Sequence, residues 1–521
     1  TSTSKTQGTD TFTGIEAVRG SRGNDVFDAT GFGSDSTNAG SFGTRNEFEG
    51  MGGDDTIYGN GDTYISYREA YAGVRVDFNS GQASSSQYLI DGSDPALVGV
   101  DSFTGVNTAV GSRYADTLVG SDGNQHLRGG AGDDHLAGGA GDDLLEGGAG
   151  FDLVQVWRDG SESGASIYLA DGLITGDVST GSDMLVSIEG VVGTFHNDQY
   201  DASRFGLDAG AGNYGSSGLT NFFMPLRGDD VISGNGATIV NFSASDETHA
   251  IQVNLAEGWA RGEWIGEKTI SGVNVVQGSR FNDYIVMGDM ANQWYEGVRG
   301  SLGSDTIDGG TGYDRIEYHR VDVTDTGLTI DMAGGTVSGK TNGSVDTLIN
   351  IEAVHGSKLN DVYIATNFVG SNQFVGDGGD DEIRGNGQTL IRFNGARAGV
   401  YVNLSEGESY SLSGADNDAA GVGTDTFSGV SSVYASSYAD MLIGGNAAHD
   451  GLEIYRGMGG DDTIDGGSGW DQARYNAGTN WTITNGQVLF AVDAQGNRLN
   501  DEGIKVNLAA GTVDGGADHG N

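Results

Sequence analysis

The same pattern of polar and apolar positions follows three aspartates that are nine residues apart, Asp134, Asp143 and Asp152. Residues 129–155 read GGAGDDHLA, GGAGDDLLE and GGAGFDLVQ without a gap. In each nonapeptide the sixth residue is an aspartate, and three residues with an apolar middle member follow it: Leu136, Leu145 and Val154. Such a triplet suits a short strand whose middle side chain faces inward. The pattern therefore predicts short strands that stack in parallel, separated by glycine-rich turns.

Longer alternations of apolar and polar residues return along the chain and predict a second kind of strand. In each of them every second residue is apolar, as in a strand with one buried face. Six such segments occur: GVRVDF from Gly73, SIYLA from Ser166, AIQVNL from Ala250, GLTIDM from Gly327, GVYVNL from Gly399 and GIKVNL from Gly503.

A recurring phrase marks a longer repeat. IEAVRGSRGND begins at Ile15, IEGVVGTFHND at Ile188 and IEAVHGSKLND at Ile351. The phrase predicts three long repeats, residues 1–187, 188–350 and 351–521, each made of two similar halves.

The two ends of the chain fit the same period. The earlier repeats continue from their closing strand into a G-x-D-x-L-x-x-I-E phrase, which is missing at the end, whereas the chain begins with GTDTFTGIEAV at Gly8. We expect open ends, either because the repeat continues in a longer chain or because subunits join end to end as a homopolymer.

The glycine-rich turns have the composition of a calcium site. Glycine is needed where φ is positive or a side chain would collide, and calcium takes six to eight oxygen ligands at about 2.3–2.6 Å. Backbone carbonyls and one aspartate per turn can supply them. The form G-G-x-G-x-D-x-U-x, with U apolar, resembles the calcium-binding nonapeptide of the RTX (repeats-in-toxin), or hemolysin-type, proteins. The alternative is a glycine-rich solenoid that binds no calcium.

The resemblance implies an all-β fold, a calcium-binding parallel β-roll or β-solenoid built from nested tandem repeats with loop insertions. In that family two nonapeptides make one right-handed turn, so each unit lies over the next but one. Two ladders follow, one with Asp116, Asp134 and Asp152, the other with Asn107, Gln125 and Asp143. We expect ions along the first ladder and fewer along the second, because Gln125 brings no charge.

The resemblance also implies which residues bind the ions. Aspartates match the sixth position at Asp55, Asp116, Asp134, Asp143, Asp152, Asp305, Asp314, Asp381, Asp462 and Asp471. Liganding glycines are implied where the whole motif is present, at Gly130, Gly132, Gly139, Gly141, Gly148 and Gly150. Other sixth-position aspartates lie in turns whose glycines are replaced, at Asp25, Asp198, Asp230, Asp283, Asp361 and Asp440. Several calcium ions are the expected cofactor.

The charge of the chain narrows its function. A formal net charge of −47 is what rows of ion-binding carboxylates require, and it argues against a nucleic-acid partner. The chain has no cysteine, no apolar run long enough for a membrane span and no histidine spacing typical of zinc. The sequence therefore predicts a protein that is not an enzyme, does not insert into membranes and works outside the cell, where calcium is plentiful.

Aromatic residues follow the last nonapeptide of each long repeat, at Trp157, Tyr318 and Tyr475. We expect them to cover the edge of the core, with contact to a surface glycan or a neighbouring filament as the alternative. The glycan alternative would gain from a single patch formed by three tryptophans of the middle repeat. These are Trp259, Trp264 and Trp294.

The leading hypothesis is an extracellular structural protein that folds on binding calcium: a self-assembling filament, a surface-layer or matrix component, or an adhesin stalk. The resemblance implies type I secretion. The second hypothesis is the calcium-binding section of a larger secreted enzyme or toxin whose catalytic domain is absent from this chain. The third is an array of carbohydrate-binding modules.

Overall fold

The computed structural model describes most of the chain. The described residues are 11–33, 35–36, 38, 40–87, 90, 92–157, 162–207, 212–215, 218–244, 249–288, 296–321, 323, 326–415, 417–445, 452–474, 481–484, 487–490, 505–508 and 511–514. Tyr475 and Trp294 lie outside them. The chain forms two compact units, Thr1–Ala244 with Trp264–Val273, and Ser245–Glu263 with Asn274–Asn521. The division into three long repeats stays a prediction.

The first unit is built from β-strands in its described part. They are β1 (Ala17–Arg19), β2 (Val26–Asp28), β3 (Asn46–Glu49), β4 (Thr56–Tyr58), β5 (Thr63–Ser66), β6 (Val74–Asp77), β7 (Gln82–Ser85), β8 (Val100–Thr104), β9 (Thr108–Val110), β10 (Thr117–Val119), β11 (His126–Ala131), β12 (His135–Ala137), β13 (Leu144–Ala149), β14 (Leu153–Gln155), β15 (Ser166–Tyr168), β16 (Leu173–Thr175), β17 (Ser182–Val186), β18 (Gly190–Val192), β19 (Gln199–Asp201), β20 (Asn221–Met224) and β21 (Val231–Asn241).

The second unit contains the remaining strands, and one of them, β24, begins in the first unit. They are β22 (Gln252–Asn254), β23 (Trp259–Gly262), β24 (Gly266–Gln277), β25 (Tyr284–Val286), β26 (Glu296–Arg299), β27 (Thr306–Asp308), β28 (Asp314–Glu317), β29 (Thr329–Asp331), β30 (Thr336–Ser338), β31 (Asp346–Ile349), β32 (Ala353–His355), β33 (Val362–Ile364), β34 (Asn372–Val375), β35 (Glu382–Arg392), β36 (Val400–Asn403), β37 (Glu408–Ser411), β38 (Thr424–Tyr434), β39 (Met441–Ile443), β40 (Leu452–Arg456), β41 (Thr463–Asp465), β42 (Trp470–Ala473), β43 (Trp481–Thr484), β44 (Gln487–Phe490), β45 (Lys505–Asn507) and β46 (Thr512–Asp514).

The short strands pair in parallel with the next but one along the chain. Strand β10 pairs with β12, and β12 with β14, which places Leu118, Leu136 and Val154 in one row. Strand β9 pairs with β11, and β11 with β13, which places Ala109, Leu127 and Leu145 in a second row. The fold is thus an all-β, parallel β-roll, and the stacking of each unit over the next but one is confirmed.

The middle side chain of each nonapeptide strand forms the core. Leu118, Leu127, Leu136 and Leu145 are fully buried, and Val154 is 1% exposed. Their flanking residues are half-buried, as expected of three-residue strands with one inward position. The apolar residues that the sequence pattern placed inside therefore lie inside.

All six alternating segments form strands, and each begins an antiparallel hairpin: β6 with β7, β15 with β16, β22 with β23, β29 with β30, β36 with β37 and β45 with β46. Five of the first strands also pair in parallel with a later strand of a roll. These five hairpins are thus inserted between roll turns and share hydrogen bonds with them, whereas β45 and β46 form a two-stranded sheet of their own.

Truncating Leu136 should destabilise the roll. Because its side chain is fully buried, Leu136→Ala is expected to lower the free energy of unfolding by about 2–5 kcal/mol. Val178, which is 93% exposed, provides the control, and Val178→Ala should stay within about 0.5 kcal/mol of the parent. Chemical denaturation in calcium buffer measures both, and equal losses would contradict this packing.

Candidate metal sites

The sixth-position aspartates form hydrogen-bonded ladders along the roll. The backbone N–H of Asp116 donates to Oδ1 of Asp134 at 2.8 Å, and the N–H of Asp134 donates to Oδ1 of Asp152 at 2.9 Å. The N–H of Asp152 donates in turn to Oε2 of Glu189 at 2.7 Å. All four acids are buried. Each carboxylate is therefore tied to the turn before it, and a line of acidic groups runs through the interior.

The second ladder follows the same rule. The backbone N–H of Gln125 donates to Oδ1 of Asp143 at 2.7 Å, and the N–H of Asp143 donates to Oδ1 of Asp183 at 3.0 Å. The pairing of Thr108 with His126 places Asn107 in register with Gln125. Both predicted ladders thus have the expected members, and each ends in an acid that the sequence analysis did not include.

Further ladders repeat this geometry in both units. They join Asp25, Asp55 and Asp101; Asp198 and Asp230; Asp283, Asp305 and Asp346; Asp314 and Glu352; Asp361, Asp381 and Asp425; and Asp440 and Asp462. The missed ladder ends are Asp101, Asp183, Glu189, Asp346, Glu352 and Asp425. The aspartates among them lie two residues before an apolar residue in G-x-D or G-x-x-D phrases, and both glutamates belong to the I-E phrase. That phrase was the available signal.

Eight of the ten motif-matching aspartates lie in turns of one backbone type. In these turns, called glycine turns below, the second and fourth residues have positive φ when the aspartate is counted as the sixth. The aspartates are Asp55, Asp134, Asp143, Asp152, Asp314, Asp381, Asp462 and Asp471. The six predicted liganding glycines, Gly130, Gly132, Gly139, Gly141, Gly148 and Gly150, all have φ between 96° and 138°.

In the perfect triplet, residues 129–155, glycine is required because other groups approach its α-carbon. A Cβ on Gly148 would lie 2.2 Å from the carbonyl oxygen of Gly130 in the turn below. A Cβ on Gly129 would lie 2.0 Å from Oδ2 of Asp134. The missing side chains thus let carbonyl oxygens and a carboxylate approach one another closely, which suits a cation with oxygen ligands.

Three carboxylates of the glycine turns each contain an oxygen that the protein does not satisfy. Oδ2 of Asp55, Asp134 and Asp152 is buried and has no hydrogen-bond partner. Burying a charged oxygen without a partner is costly. No three His, Asp or Glu side chains cluster around a point in the described part of the chain. A cation at these oxygens would therefore take most of its ligands from backbone carbonyls.

A comparison with known protein families gives one match, and that match is consistent with this geometry. The family model of the RTX calcium-binding nonapeptide repeat (four copies) matches residues 42–63, 101–124, 119–154, 298–317, 368–389 and 449–481. The chain carries RTX calcium-binding repeats. All ten motif-matching aspartates lie within the matched segments. A search of curated proteins gives no match to the chain.

RTX repeats bind calcium and are typical of secreted proteins. The turns fit the ion, since they offer buried carboxylate oxygens without donors and glycines that admit carbonyls. Asp134 and Asp152, with the carbonyls of the glycine turns around them, would hold calcium, which would supply the missing positive charge. Over the described residues, no helix is long and apolar enough to cross a membrane.

A second type of turn satisfies its own aspartate. In these turns, called serine turns below, the backbone N–H of a serine or threonine at the second position donates to the carboxylate. At Asp116, the backbone N–H of Ser112 donates to Oδ2 at 2.5 Å and its hydroxyl to Oδ1 at 2.8 Å, while the N–H of Val74 also donates to Oδ1. The carboxylate of Asp116 thus already has donors from the protein. Calcium binding by Asp116 stays a prediction.

The other serine turns are those of Asp25, Asp198, Asp283, Asp361 and Asp440. Gln125 lies in a turn of the same kind, where Ser121 N–H donates to its amide oxygen at 2.9 Å. Neither the second nor the fourth residue of these turns has positive φ. In most ladders, one serine turn therefore precedes a glycine turn.

Asp305 lies in neither kind of turn. Only its fourth residue, Gly303, has positive φ. Oδ2 of Asp305 accepts the hydroxyl of Ser301 at 3.2 Å and lies 3.7 Å from Nζ of the buried Lys340. This aspartate already has a positive charge beside it.

The aromatic residues have separate environments. Trp157 packs against Phe195 at 5.4 Å between ring centroids, and Phe195 contacts Trp264 at 6.4 Å. Tyr318 is fully buried and donates its hydroxyl to Oδ2 of Asp346 at 2.6 Å, so it belongs to the ladder rather than to the edge of the core. Arg261 lies over the ring of Trp259 at 4.6 Å. Glycan binding stays a prediction.

Removing one ladder charge should weaken calcium binding. Asp134→Asn keeps an oxygen for the N–H of Asp116 but lacks the negative charge at the unpartnered position, so the calcium concentration at half-folding should rise by about tenfold or more. Circular dichroism during a calcium titration measures it. The control is Asp133→Asn in the same turn, whose side chain is exposed. A similar shift for both variants would show that Asp134 holds no ion.

The calcium-free protein should become less stable as the pH rises. Burial raises the pKa of Asp134 to about 8, of Asp152 to about 7 and of Asp55 to about 6, from an ordinary value of 3.8. The folded chain therefore keeps protons that the unfolded chain releases, and their stabilisation is complete below about pH 4 and lost as the pH rises through about 6 to 8.

Thermal unfolding in a chelator checks this pH dependence. The unfolding midpoint should be higher near pH 5 than near pH 8, and calcium at pH 8 should restore it because the ion replaces the protons. A midpoint that rises with pH in the chelator would contradict buried, unneutralised carboxylates.

Proposed function

We propose that this chain is an extracellular structural protein whose β-roll folds on binding calcium outside the cell. It would act as a self-assembling filament, a surface-layer or matrix component, or an adhesin stalk. The observation that carries the proposal is the set of buried carboxylate oxygens without donors in the stacked glycine turns. These groups make the folded state depend on a cation.

The dependence of the folded state on a cation supports a folding switch. A chain with a net charge of −47 and 93 glycines gains little from compaction while its carboxylates repel one another. An ion that binds the folded chain and not the unfolded one stabilises folding by mass action. Calcium is scarce in the cytosol and plentiful outside, so the chain would remain unfolded until export through a type I channel.

The distribution of the glycine turns along the chain favours a structural role over that of a calcium-binding section in a larger enzyme or toxin. Glycine turns and their ladders recur in both units, from Asp55 to Asp471. RTX repeats match six segments between residues 42 and 481. Turns of the calcium-binding type therefore recur through both units of the described chain, as would suit a stiff spacer.

Electron microscopy tests the proposed assembly. Purified protein should form long filaments or sheets in millimolar calcium and lose them after chelation, because the turns lose their positive charges. Isolated particles in calcium, with calcium-dependent folding intact, would contradict self-assembly and favour the calcium-binding section of a larger secreted enzyme or toxin. The same unfolding temperature in calcium and in chelator at neutral pH would contradict the folding switch itself.

A further inference from the structure

Two lysines are buried inside the turns of this acidic chain. The sequence contains five lysines against 73 acidic residues. Lys268 and Lys340 have fully buried side chains. Lysine is almost never fully buried unless its charge is paired. Their positions therefore need a specific explanation.

Lys268 lies at the centre of the turn that contains Asp230. Its Nζ donates to the carbonyl oxygens of Gly228 at 2.6 Å and Leu226 at 3.3 Å, and it lies 2.5 Å from Oδ2 of Asp230. Leu226, Gly228 and Asp230 are the second, fourth and sixth residues of this turn. The carbonyl of Ile265 accepts a further hydrogen bond at 2.6 Å. The ammonium group is thus surrounded by oxygens.

Lys340 has the same surroundings in the turn that contains Asp305. Its Nζ donates to the carbonyl oxygens of Ser301 at 2.9 Å and Gly303 at 2.5 Å, the second and fourth residues of the turn. It also contacts Oδ1 of Asp346, the ladder end, at 2.5 Å. Oδ2 of Asp305, the sixth residue, lies 3.7 Å away.

The two lysines reach these positions from different places in the sequence. Lys268 stands in the segment Gly266-Glu267-Lys268, which aligns with the phrase that supplies the ladder ends Asp101, Asp183 and Asp425 elsewhere. Lys340 follows strand β30 of an inserted hairpin, six residues before Asp346, so its ladder keeps the acid. Two unrelated substitutions thus place an ammonium group against equivalent oxygens.

The backbone of these two turns differs from that of the glycine turns. Only the fourth residues, Gly228 and Gly303, have positive φ, whereas the glycine turns have positive φ at the second residue too. Among the turns of the sixth-position aspartates, which the structure describes in full, no other has positive φ at the fourth residue alone. The lysine and the turn type therefore occur together.

We propose that the ammonium groups of Lys268 and Lys340 act as built-in cations that occupy the calcium positions of these two turns. An ammonium group and calcium both need surrounding oxygens, and one set of oxygens cannot serve both. The Asp230 and Asp305 turns are then neutralised without an ion. Each unit contains one such turn, so each has a ladder segment that can form before calcium binds.

This proposal rests on calcium binding by the glycine turns, but not on a role in filaments or stalks. It predicts that Asp305, one of the aspartates expected to bind calcium, holds no ion in the native chain. Asp230 is predicted to hold none for the same reason.

Counting bound calcium tests the built-in cations. Lys340→Ala leaves Asp305, Asp346 and the two carbonyls without their cation, and Lys268→Asp restores the acid that other ladders have at that place. Each variant should bind one calcium ion more than the parent at saturation, measured by equilibrium dialysis or calorimetry. Lys358→Ala, at an exposed lysine, should leave the number unchanged.

Thermal unfolding in a chelator provides the second measurement. Both variants should unfold at a lower temperature than the parent in the chelator, because uncompensated carboxylates remain, and saturating calcium should reverse most of the loss. Folded variants that gain no calcium ion would overturn the proposal. So would variants that stay unfolded in saturating calcium, since the ion could then not replace the ammonium group.

The same data separate this proposal from the proposed function. Calcium-dependent folding of the parent with no gained site in the variants would refute only the built-in cations. A parent that folds in calcium but forms no filaments or sheets in the electron microscope, together with variants that each bind one more ion, would refute only the proposed structural role.

Discussion

The fold depends on one contact: the carboxylate of a turn accepts the backbone N–H of the equivalent residue one turn earlier. The carboxylate of Asp134 accepts the N–H of Asp116 in this way, and the carboxylate of Asp152 accepts the N–H of Asp134. The contact sets the spacing of the turns and satisfies buried N–H groups, but it also places acidic groups in a line where water does not screen them. The roll can be compact only if positive charge or hydrogen-bond donors reach the remaining oxygens.

The chain meets this requirement in three ways, each with its own turn backbone. Serine turns surround the carboxylate with donors, as Ser112 does for Asp116. Glycine turns leave an oxygen of Asp134 or Asp152 without a partner and open space for carbonyls, which suits calcium. In two turns, those of Asp230 and Asp305, the ammonium group of a lysine from elsewhere in the chain lies beside the carboxylate. The number of turns of each kind sets how much of the folding free energy comes from bound calcium ions and how much from the chain's own donors and ammonium groups. It therefore also sets how strongly folding depends on the calcium concentration.

Local sequence predicted the strands and their stacking, because both depend on short-range patterns. The apolar triplet centres lie in the core, the six alternating segments form hairpins, and the ladder of Asp116, Asp134 and Asp152 has the expected order. The ladder ends were missed because Glu189 meets Asp152 only after an inserted hairpin. Lys340 was missed for a related reason. The carbonyl oxygens that accept from its Nζ belong to a turn near residue 301, and only the fold brings that turn and the lysine together. The donors that distinguish Asp116 from Asp134 depend on a single serine in place of glycine.

Hydrogen exchange of the ladder amides tests the central claim most directly, because these N–H groups donate to the carboxylates that calcium would neutralise. The measurement compares peptides covering residues 129–155 in millimolar calcium and in chelator by mass spectrometry. The account predicts strong protection in calcium and exchange close to that of an unfolded chain in chelator, with protection returning when calcium is added back. Equal protection under both conditions would contradict it, because the ladders would then be stable without a cation in the glycine turns.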